Sequence, residues 1–274
     1  MDTEFVEREY NNRALVPDHP AYFARWEKDS EFVRETLPAE LELAYGPDPR
    51  HRIDLFPAAR SRGTLVFIHG GYWRSLDKRM FSWLAAAYVA AGVNVALPNY
   101  RLAPKVRIEE IVDDAIAAMN WLFANGMKHG VATERVVVSG HSAGGHLAAA
   151  LFATPVARFG FDPGRIAGAV PMSGLFDFEP LLKFSYNADL KLDQASARRL
   201  TLLDKTPTVD APLLVAVGAD ESSEFQRQSA ALAKAWIPRV SDLLVLPGLN
   251  HFSIVDAFAE RGQRLHDATL DLFK

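Results

Sequence analysis

The sequence predicts an α/β protein built on a mostly parallel sheet with helices on both faces. Eight short apolar segments follow one another from residue 40 onward, and from the third onward helical patterns separate them. This alternation is typical of parallel strands joined by crossover helices. The 274 residues suit one large domain or two small ones, and 49% hydrophobic with 23% charged residues is an ordinary globular composition.

The charge pattern gives no sign of a nucleic-acid or membrane partner. The chain carries 34 acidic and 30 basic residues, interspersed, for a net charge of −4. Nucleic acids and anionic membrane surfaces instead select clustered basic residues. We therefore expect a small-molecule substrate as the partner, with no nucleic acid and no membrane, and a homodimer is left open.

The cysteine count and the N-terminal residues bear on the compartment. There is no cysteine, which excludes disulfides and thiolate metal sites and is compatible with the cytoplasm. The Met1–Glu4 start lacks the basic and apolar regions of a secretory signal, and no apolar run is long enough to span a bilayer. The histidines lack metal-ligand spacing, so neither a metal nor a cofactor is predicted. We expect a cytoplasmic protein.

Eight strands are predicted, at residues 40–45, 51–56, 64–69, 93–98, 136–138, 166–172, 213–217 and 243–246. The first two flank a Gly-Pro-rich turn and alternate apolar with polar residues, which predicts an antiparallel pair. The third is a continuous apolar run, as expected of a strand buried on both faces. The main helices are predicted at about 77–91, 107–125, 142–150 and 222–236, with a last one ending near 273.

Two segments fall outside this alternation. Residues 1–35 form an arm with a helical pattern through Phe23, Trp26 and Phe32, and three large aromatic residues indicate that it packs near the active site. Residues 36–274 form the main domain. Within it, residues 175–206 interrupt the pattern after a strand, so they are predicted to form a small cap at the sheet edge where ligands bind.

The segment Val136–Ala150 organises the rest of the chain. A β-branched run enters a Gly-x-Ser-x-Gly turn centred on Ser142 and leaves as an alanine-rich helix. This is the nucleophile-elbow pattern, in which a strained strand-to-helix turn raises a serine oxygen above a sheet. Gly140 and Gly144 are needed because side chains there would collide with neighbouring backbone.

A serine nucleophile needs a base, and the elbow fold places the acid and then the histidine after it in the chain. His251 lies in the short loop that follows the last predicted strand, before a helix. Asp220 and Glu221 both follow the strand at 213–217, and spacing does not decide which of them holds the imidazole.

An oxyanion formed at the serine would need backbone N–H donors. One is expected from Ala143, the residue after the nucleophile. The others are expected from the loop after the third strand, which contains Gly70, Gly71 and Tyr72. The preceding His69 is expected to hold this loop in place rather than to act as a base.

Several motifs together resemble a known family. They are Gly140–His146, His69–Trp73, Asn99–Pro104, Ser173–Pro180, Glu224–Ser229 and Asn250–Val255. Gly140–His146, Asn99–Pro104 and the His69–Gly71 part of the second motif resemble the hormone-sensitive-lipase-like branch of the α/β-hydrolases. His69–Trp73 and the last three motifs resemble the arylformamidase (kynurenine formamidase) group of that branch. Tyr72, which stands where lipase-like esterases have a third glycine, discriminates most sharply between them.

The resemblance implies a fold, an activity and residue roles. The fold is that of an α/β-hydrolase, and the reaction is removal of a formyl group from an aryl amide, with N-formylkynurenine giving kynurenine and formate. The family pattern places the acid at Glu221, and Asp220 is kept as the alternative. Substrate-binding residues would be Tyr72, Trp73, Phe176 and Asn187, with Phe23 and Trp26 equally suited to packing and Arg74 able to meet a carboxylate.

Two other functions remain open. A carboxylesterase, or a hydrolase of aryl amides or carbamates, would use the same triad on small acyl substrates. A non-catalytic ligand receptor on the same fold is less consistent with the sequence, because such proteins commonly lose a triad residue or the oxyanion glycines. Here Ser142, His251 and both Gly70 and Gly71 are present.

Overall fold

The computed structural model describes all 274 residues and contains one eight-stranded sheet. The strands are β1 (Glu40–Ala44), β2 (Arg52–Phe56), β3 (Thr64–Ile68), β4 (Asn94–Pro98), β5 (Val136–His141), β6 (Ile166–Met172), β7 (Leu213–Gly218) and β8 (Val240–Leu246). Their spatial order is β1-β2-β4-β3-β5-β6-β7-β8. β2 pairs antiparallel with β1 and β4, and every other pair is parallel, which confirms the predicted fold class.

Eleven α-helices surround the sheet: α1 (Thr3–Tyr10), α2 (Asn12–Leu15), α3 (His19–Thr36), α4 (Ala85–Ala90), α5 (Ile108–Asn125), α6 (Ala143–Phe152), α7 (Asn187–Leu190), α8 (Gln194–Leu200), α9 (Ser223–Ala235), α10 (Ser253–Ala259) and α11 (Arg264–Asp271). The helix predicted at 77–91 is a 3₁₀ helix, Lys78–Leu84, followed by α4. The predicted last helix is two, because Gly262 between α10 and α11 has a φ of 85°, which ends helical geometry.

The core has two layers because strand residues alternate between the sheet faces. Val66 and Ile68 of β3 belong to one buried cluster, whereas Leu65 and Phe67 belong to the other. All five residues of β3 are buried, as the continuous apolar run predicts. β3 and β5 therefore lie at the centre of the sheet, and the loops that follow them lie at one edge, together with those after β6 and β7.

The N-terminal arm is helical and is held to the main domain by polar contacts. Tyr10 at the end of α1 donates its hydroxyl to Glu224 on α9 at 2.7 Å. Trp26 on α3 stacks on Trp83 and donates its indole N–H to Asp256 on α10 at 2.8 Å. The arm thus reaches from α9 to the 3₁₀ helix before α4.

The segment after β6 contains only short helices. A 3₁₀ helix, Pro180–Lys183, precedes α7 and α8. Its aromatic residues Phe176, Phe178 and Phe184 are buried in the larger of the two core clusters, which keeps the segment against the domain. Among all the helices of the protein, none has the length and apolar character needed to cross a membrane.

Candidate active site

Ser142 occupies a strained turn between β5 and α6. Its φ of 57° and ψ of −119° are sparsely populated by residues with side chains. A Cβ on Gly140 would lie 2.2 Å from the carbonyl oxygen of Gly144, and a Cβ on Gly144 would lie 2.0 Å from that of Ile68. Only glycine fits at either position, so these two glycines permit the turn that the sequence pattern predicts.

His251 and Glu221 form a buried pair above the sheet edge. His251 lies in the loop between β8 and α10, and its Nδ1 is 2.7 Å from Glu221 Oε2. Both residues are more than nine-tenths buried. A carboxylate at this distance fixes the ring so that Nδ1 carries a proton and Nε2 is left free to accept one.

Glu221 is itself held by two donors. The hydroxyl of Ser173, just after β6, and the backbone N–H of Gly218 at 2.8 Å both bind its Oε1. The neighbouring Asp220 is exposed, and the ion-pair partner of His251 is Glu221 rather than Asp220. Of the two carboxylates that the sequence offers, the structure therefore brings Glu221 to the imidazole. Ser173 was not predicted as a site residue, although its position after β6 places it beside the acid.

The loop after β3 approaches Ser142 closely. A Cβ on Gly70 would lie 3.1 Å from Ser142 Cβ, and Gly71 has a φ of 106°. The backbone N–H groups of Gly71 and Tyr72 have no acceptor in the protein. Ala143 is the first residue of α6, where N–H groups have no partner within the helix. These amides are available to a negatively charged oxygen next to Ser142.

His69 supports this loop from below. Its Nδ1 lies 2.7 Å from the carbonyl oxygen of Gly70 and its Nε2 lies 2.9 Å from Asn99 Oδ1. The ring also stacks on Tyr100 at 4.3 Å between centroids. Burial lowers the pKa of His69 to about 4, so the ring is neutral near pH 7. These contacts agree with the supporting role expected from the sequence.

His141, the residue before Ser142, has its ring centroid 4.5 Å from that of His251. This distance places the serine turn directly beside the histidine loop. Burial, reinforced by repulsion from His251, lowers the pKa of His141 well below its ordinary value. A weakly basic imidazole is a poor proton acceptor, so His141 is not suited to act as the base.

One cavity opens onto these groups. It is lined by Ser142, His141 and His251, by the β3 loop and by the N-terminal arm. The arm and loop residues that line it are Asn11, Asn12, Arg13, Phe23, Trp26, Gly71, Tyr72, Arg74, Ser75 and Leu76. Phe81, Tyr186 and Phe252 complete the wall. Ser142 and His251 are thus brought to the same space, although no hydrogen bond joins their side chains, and such bonds often tighten only when substrate binds.

Three predicted substrate-binding residues do not line this cavity. Trp73 follows Tyr72 in a left-handed turn, with a φ of 54°, and its ring packs on His146 and Phe178 in the core. Phe176 is completely buried over Gly174. Tyr72 is the only one of the four that the structure places at the cavity.

Asn187, the other of these three, binds the backbone of its own segment. Its Oδ1 accepts from the N–H of Leu192 at 2.7 Å, and its Nδ2 donates to the carbonyl oxygens of Leu182 and Leu192. Both ends of the carboxamide are therefore occupied. No group of three or more His, Asp or Glu side chains is arranged to hold a metal ion.

The chain is similar to proteins of known description over nearly its whole length. A family model described as an alpha/beta hydrolase fold matches residues 65–237. A kynurenine formamidase of Salmo salar is 25% identical over 99% of this chain and 95% of its own, and one of Danio rerio is 27% identical over 89% and 85%. A solved structure from Silicibacter sp. TM1040, with a provisional thioesterase description, is 33% identical and superimposes with a TM-score of 0.85 over 95% of this chain and 97% of its own.

Proposed function

Because the chain belongs to the family of α/β-hydrolase fold proteins, we propose that it is a serine hydrolase that removes a formyl group from an aryl amide. The substrate that we propose is N-formylkynurenine, which the kynurenine formamidase relatives support. One observation carries the chemistry: a single cavity holds Ser142 and His251, with Glu221 bound behind the imidazole. A cytoplasmic location is compatible with the absence of cysteine and is part of the proposal.

In the first half of the reaction, Ser142 attacks the formyl carbonyl carbon. His251 accepts the hydroxyl proton at Nε2, and Glu221 stabilises the imidazolium through Nδ1–H. The carbonyl oxygen becomes an oxyanion that accepts hydrogen bonds from the N–H groups of Gly71, Tyr72 and Ala143. The carbon–nitrogen bond then breaks, and His251 returns the proton to the departing arylamine, leaving a formyl ester on Ser142.

In the second half, water takes the place of the arylamine. His251 removes a proton from the water, which attacks the formyl ester and forms a second oxyanion at the same amides. Collapse of this intermediate releases formate and returns the proton to Ser142. Tyr72, mostly buried at the cavity wall, leaves less room there than a glycine would, which favours a small acyl group.

The proposal is tested by turnover of N-formylkynurenine, followed by the absorbance of kynurenine, against p-nitrophenyl acetate. We expect the formyl amide to be the more efficient substrate by kcat/KM, and Ser142→Ala to abolish turnover. A fluorophosphonate probe should label the wild-type protein and leave Ser142→Ala unlabelled. Efficient turnover of the ester alone would overturn the formamidase assignment, and absence of labelling would overturn the serine mechanism.

Ester hydrolysis is the second candidate function. The relative with the provisional thioesterase description has the higher identity, 33%, and thioesters and carboxylic esters would use the same serine, histidine and amides. The alcohol or thiol leaving group of an ester or thioester needs protonation less than the amine leaving group of an amide does. A small-acyl ester or thioester that exceeds N-formylkynurenine in kcat/KM would select this function.

A further inference from the structure

The arm contributes a polar side chain that has no partner in the protein. Asn12, the first residue of α2, is 5% exposed and lines the cavity that contains Ser142. Its Nδ2 is buried and makes no hydrogen bond. Leaving a buried donor without a partner destabilises the folded state, so a carboxamide in this state is suited to bind a group that arrives from outside.

Both polar atoms of the adjacent Asn11 side chain have hydrogen-bond partners in the arm. Its Oδ1 accepts from the N–H of Ala14, and its Nδ2 donates to Glu7, so it caps α2. The Nδ2 of Asn12 makes no corresponding hydrogen bond within the protein. The two side chains are neighbours on the same cavity wall, and of the two only Asn12 has an amide nitrogen without a hydrogen-bond partner.

The arm is fixed just before Asn12. The hydroxyl of Tyr72 donates to the backbone oxygen of Tyr10 at 2.6 Å, and Ser222 donates to that of Glu9 at 2.7 Å. Tyr10 is also bound to Glu224 through its own hydroxyl. Asn12 is therefore held in position relative to the loop that carries the free amides, which limits the entropy lost when it binds a ligand.

The charges around the cavity favour an anion. The lining contains Arg13 and Arg74 and no aspartate or glutamate. Arg74 is paired with Asp189 and lies over Tyr186, so its charge is compensated. Arg13 is exposed, lies 5.6 Å from the centroid of Phe23, and has no carboxylate within ion-pair distance. The uncompensated cation and the unsatisfied amide are consecutive residues.

We propose that Asn12 and Arg13 form a carboxylate-binding subsite that makes the enzyme select acyl compounds whose leaving group carries a carboxylate. A carboxylate can accept from the Asn12 amide inside the cavity and from the Arg13 guanidinium at its rim. This inference rests on the proposed function for the scissile bond, because the selected group lies on the part of the substrate that leaves. The acyl group itself is bound beside Tyr72.

The test uses two substrate pairs that differ in the carboxylate. The amide 4-(2-formamidophenyl)-4-oxobutanoate, which is N-formylkynurenine without its ammonium group, is compared with 2-formamidopropiophenone, which keeps the aryl ketone and the formyl amide but has no carboxylate. The ester 3-(2-acetoxyphenyl)propanoate is compared with 2-ethylphenyl acetate. Because each pair shares its scissile bond, charge selection is measured whichever acyl bond the enzyme prefers.

Arg13→Glu and Asn12→Ala are the informative variants. Loss of a hydrogen bond to a charged group corresponds to about a tenfold or greater change in binding, so each should raise KM for the anionic substrates by about that factor. Any change in the turnover of the neutral substrates, or in kcat for the anionic ones, should be clearly smaller than this rise in KM, because neither residue touches the scissile bond. Arg8→Glu is the matched control. It makes the same charge change on the arm, but Arg8 does not line the cavity.

The outcomes separate the two proposals. An equal loss on neutral and anionic substrates, no loss on either, or the same loss in Arg8→Glu would overturn the subsite. If the wild-type enzyme turns over only the ester pair, the formamidase assignment is overturned. If Arg13→Glu also removes its preference for the ester that carries the carboxylate, the subsite is still supported. Absence of turnover on both pairs would overturn both. Arg13→Glu changes an exposed residue, so the test does not depend on Asn12→Ala folding.

Discussion

Glu221 and His251 are thirty positions apart in the sequence and 2.7 Å apart in the structure. The contact depends on the turn after β7, where the N–H of Gly218 binds Glu221 Oε1 and leaves Oε2 for the imidazole. Asp220, one residue earlier, is directed to solvent by the same turn. A single backbone hydrogen bond thus helps to select which of two adjacent carboxylates reaches the histidine.

Replacing the two carboxylates separately should give very different results. Glu221→Ala should lower kcat by about 10⁴, because the imidazole loses the group that fixes its tautomer and stabilises its charge. Asp220→Ala should stay within about twofold and serves as the matched control. Single-turnover and steady-state rates with the preferred substrate would measure both. A large loss in Asp220→Ala, or none in Glu221→Ala, would reverse the assignment.

The hydroxyl of Ser173 should matter through Glu221. Ser173→Ala removes one of the two donors to Glu221 Oε1, and a hydrogen bond to a carboxylate is worth about 1.5–3 kcal/mol. We expect kcat to fall about tenfold while KM changes little, since Ser173 does not line the cavity. Ser229→Ala is the control, because Ser229 is equally buried and its hydroxyl has no partner. Similar kinetics in the two variants would argue against a positioning role.

Gly71 should be intolerant of any side chain. Its φ is 106°, and a Cβ would lie 2.3 Å from the carbonyl oxygen of Ser75, so Gly71→Ala must displace the loop. Losing one oxyanion donor typically costs about 10²–10³ in kcat. Gly262→Ala has similar backbone strain, with a φ of 85°, but lies in open space away from the cavity. If both variants lose activity equally, strain rather than the amides explains the loss.

Local patterns in the sequence predicted the sheet and the serine turn because both arise from neighbours in the chain. The β-branched run, Gly140 and Gly144 determine the turn at Ser142 without reference to the rest of the molecule. The position of His251 after the last strand was equally readable, since the loops after parallel strands lie at one edge of the sheet.

Long-range packing decided what the sequence left open. Trp73 and Phe176 were expected at the substrate, yet both rings fill the core. Trp73 points away from the cavity that Tyr72 lines because the two are consecutive residues of a tight turn with positive φ. Ser173 and Asn12 meet the site only through contacts with distant segments, and a serine or asparagine in isolation carries no such signal. The choice between Asp220 and Glu221 likewise depended on a turn whose geometry spacing does not encode.

The stability of the protein should fall in acid because of a buried imidazole outside the cavity. His146 on α6 is fully buried against Trp73 and Phe178, and neither ring nitrogen has a hydrogen-bond partner. Burial, with a smaller contribution from Lys205, lowers the pKa of His146 to about 3. In the unfolded chain the pKa is about 6.5, so the unfolded state binds the proton first as the pH falls.

The sign and size of the effect follow from this difference. Above pH 6.5 His146 is neutral in both states, and its contribution to stability is at its full value. Between pH 6.5 and about 3 only the unfolded state binds the proton, so the free energy of unfolding falls by about 1.4 kcal/mol per pH unit. His146→Leu should remove this share of the acid sensitivity. Urea titrations of both proteins at pH 7.5 and 4.5 would measure it, and the comparison at pH 7.5 isolates the change in packing. Equal losses of stability in the two proteins between these pH values would contradict the prediction. They would show that His146 binds a proton as readily in the folded state as in the unfolded chain.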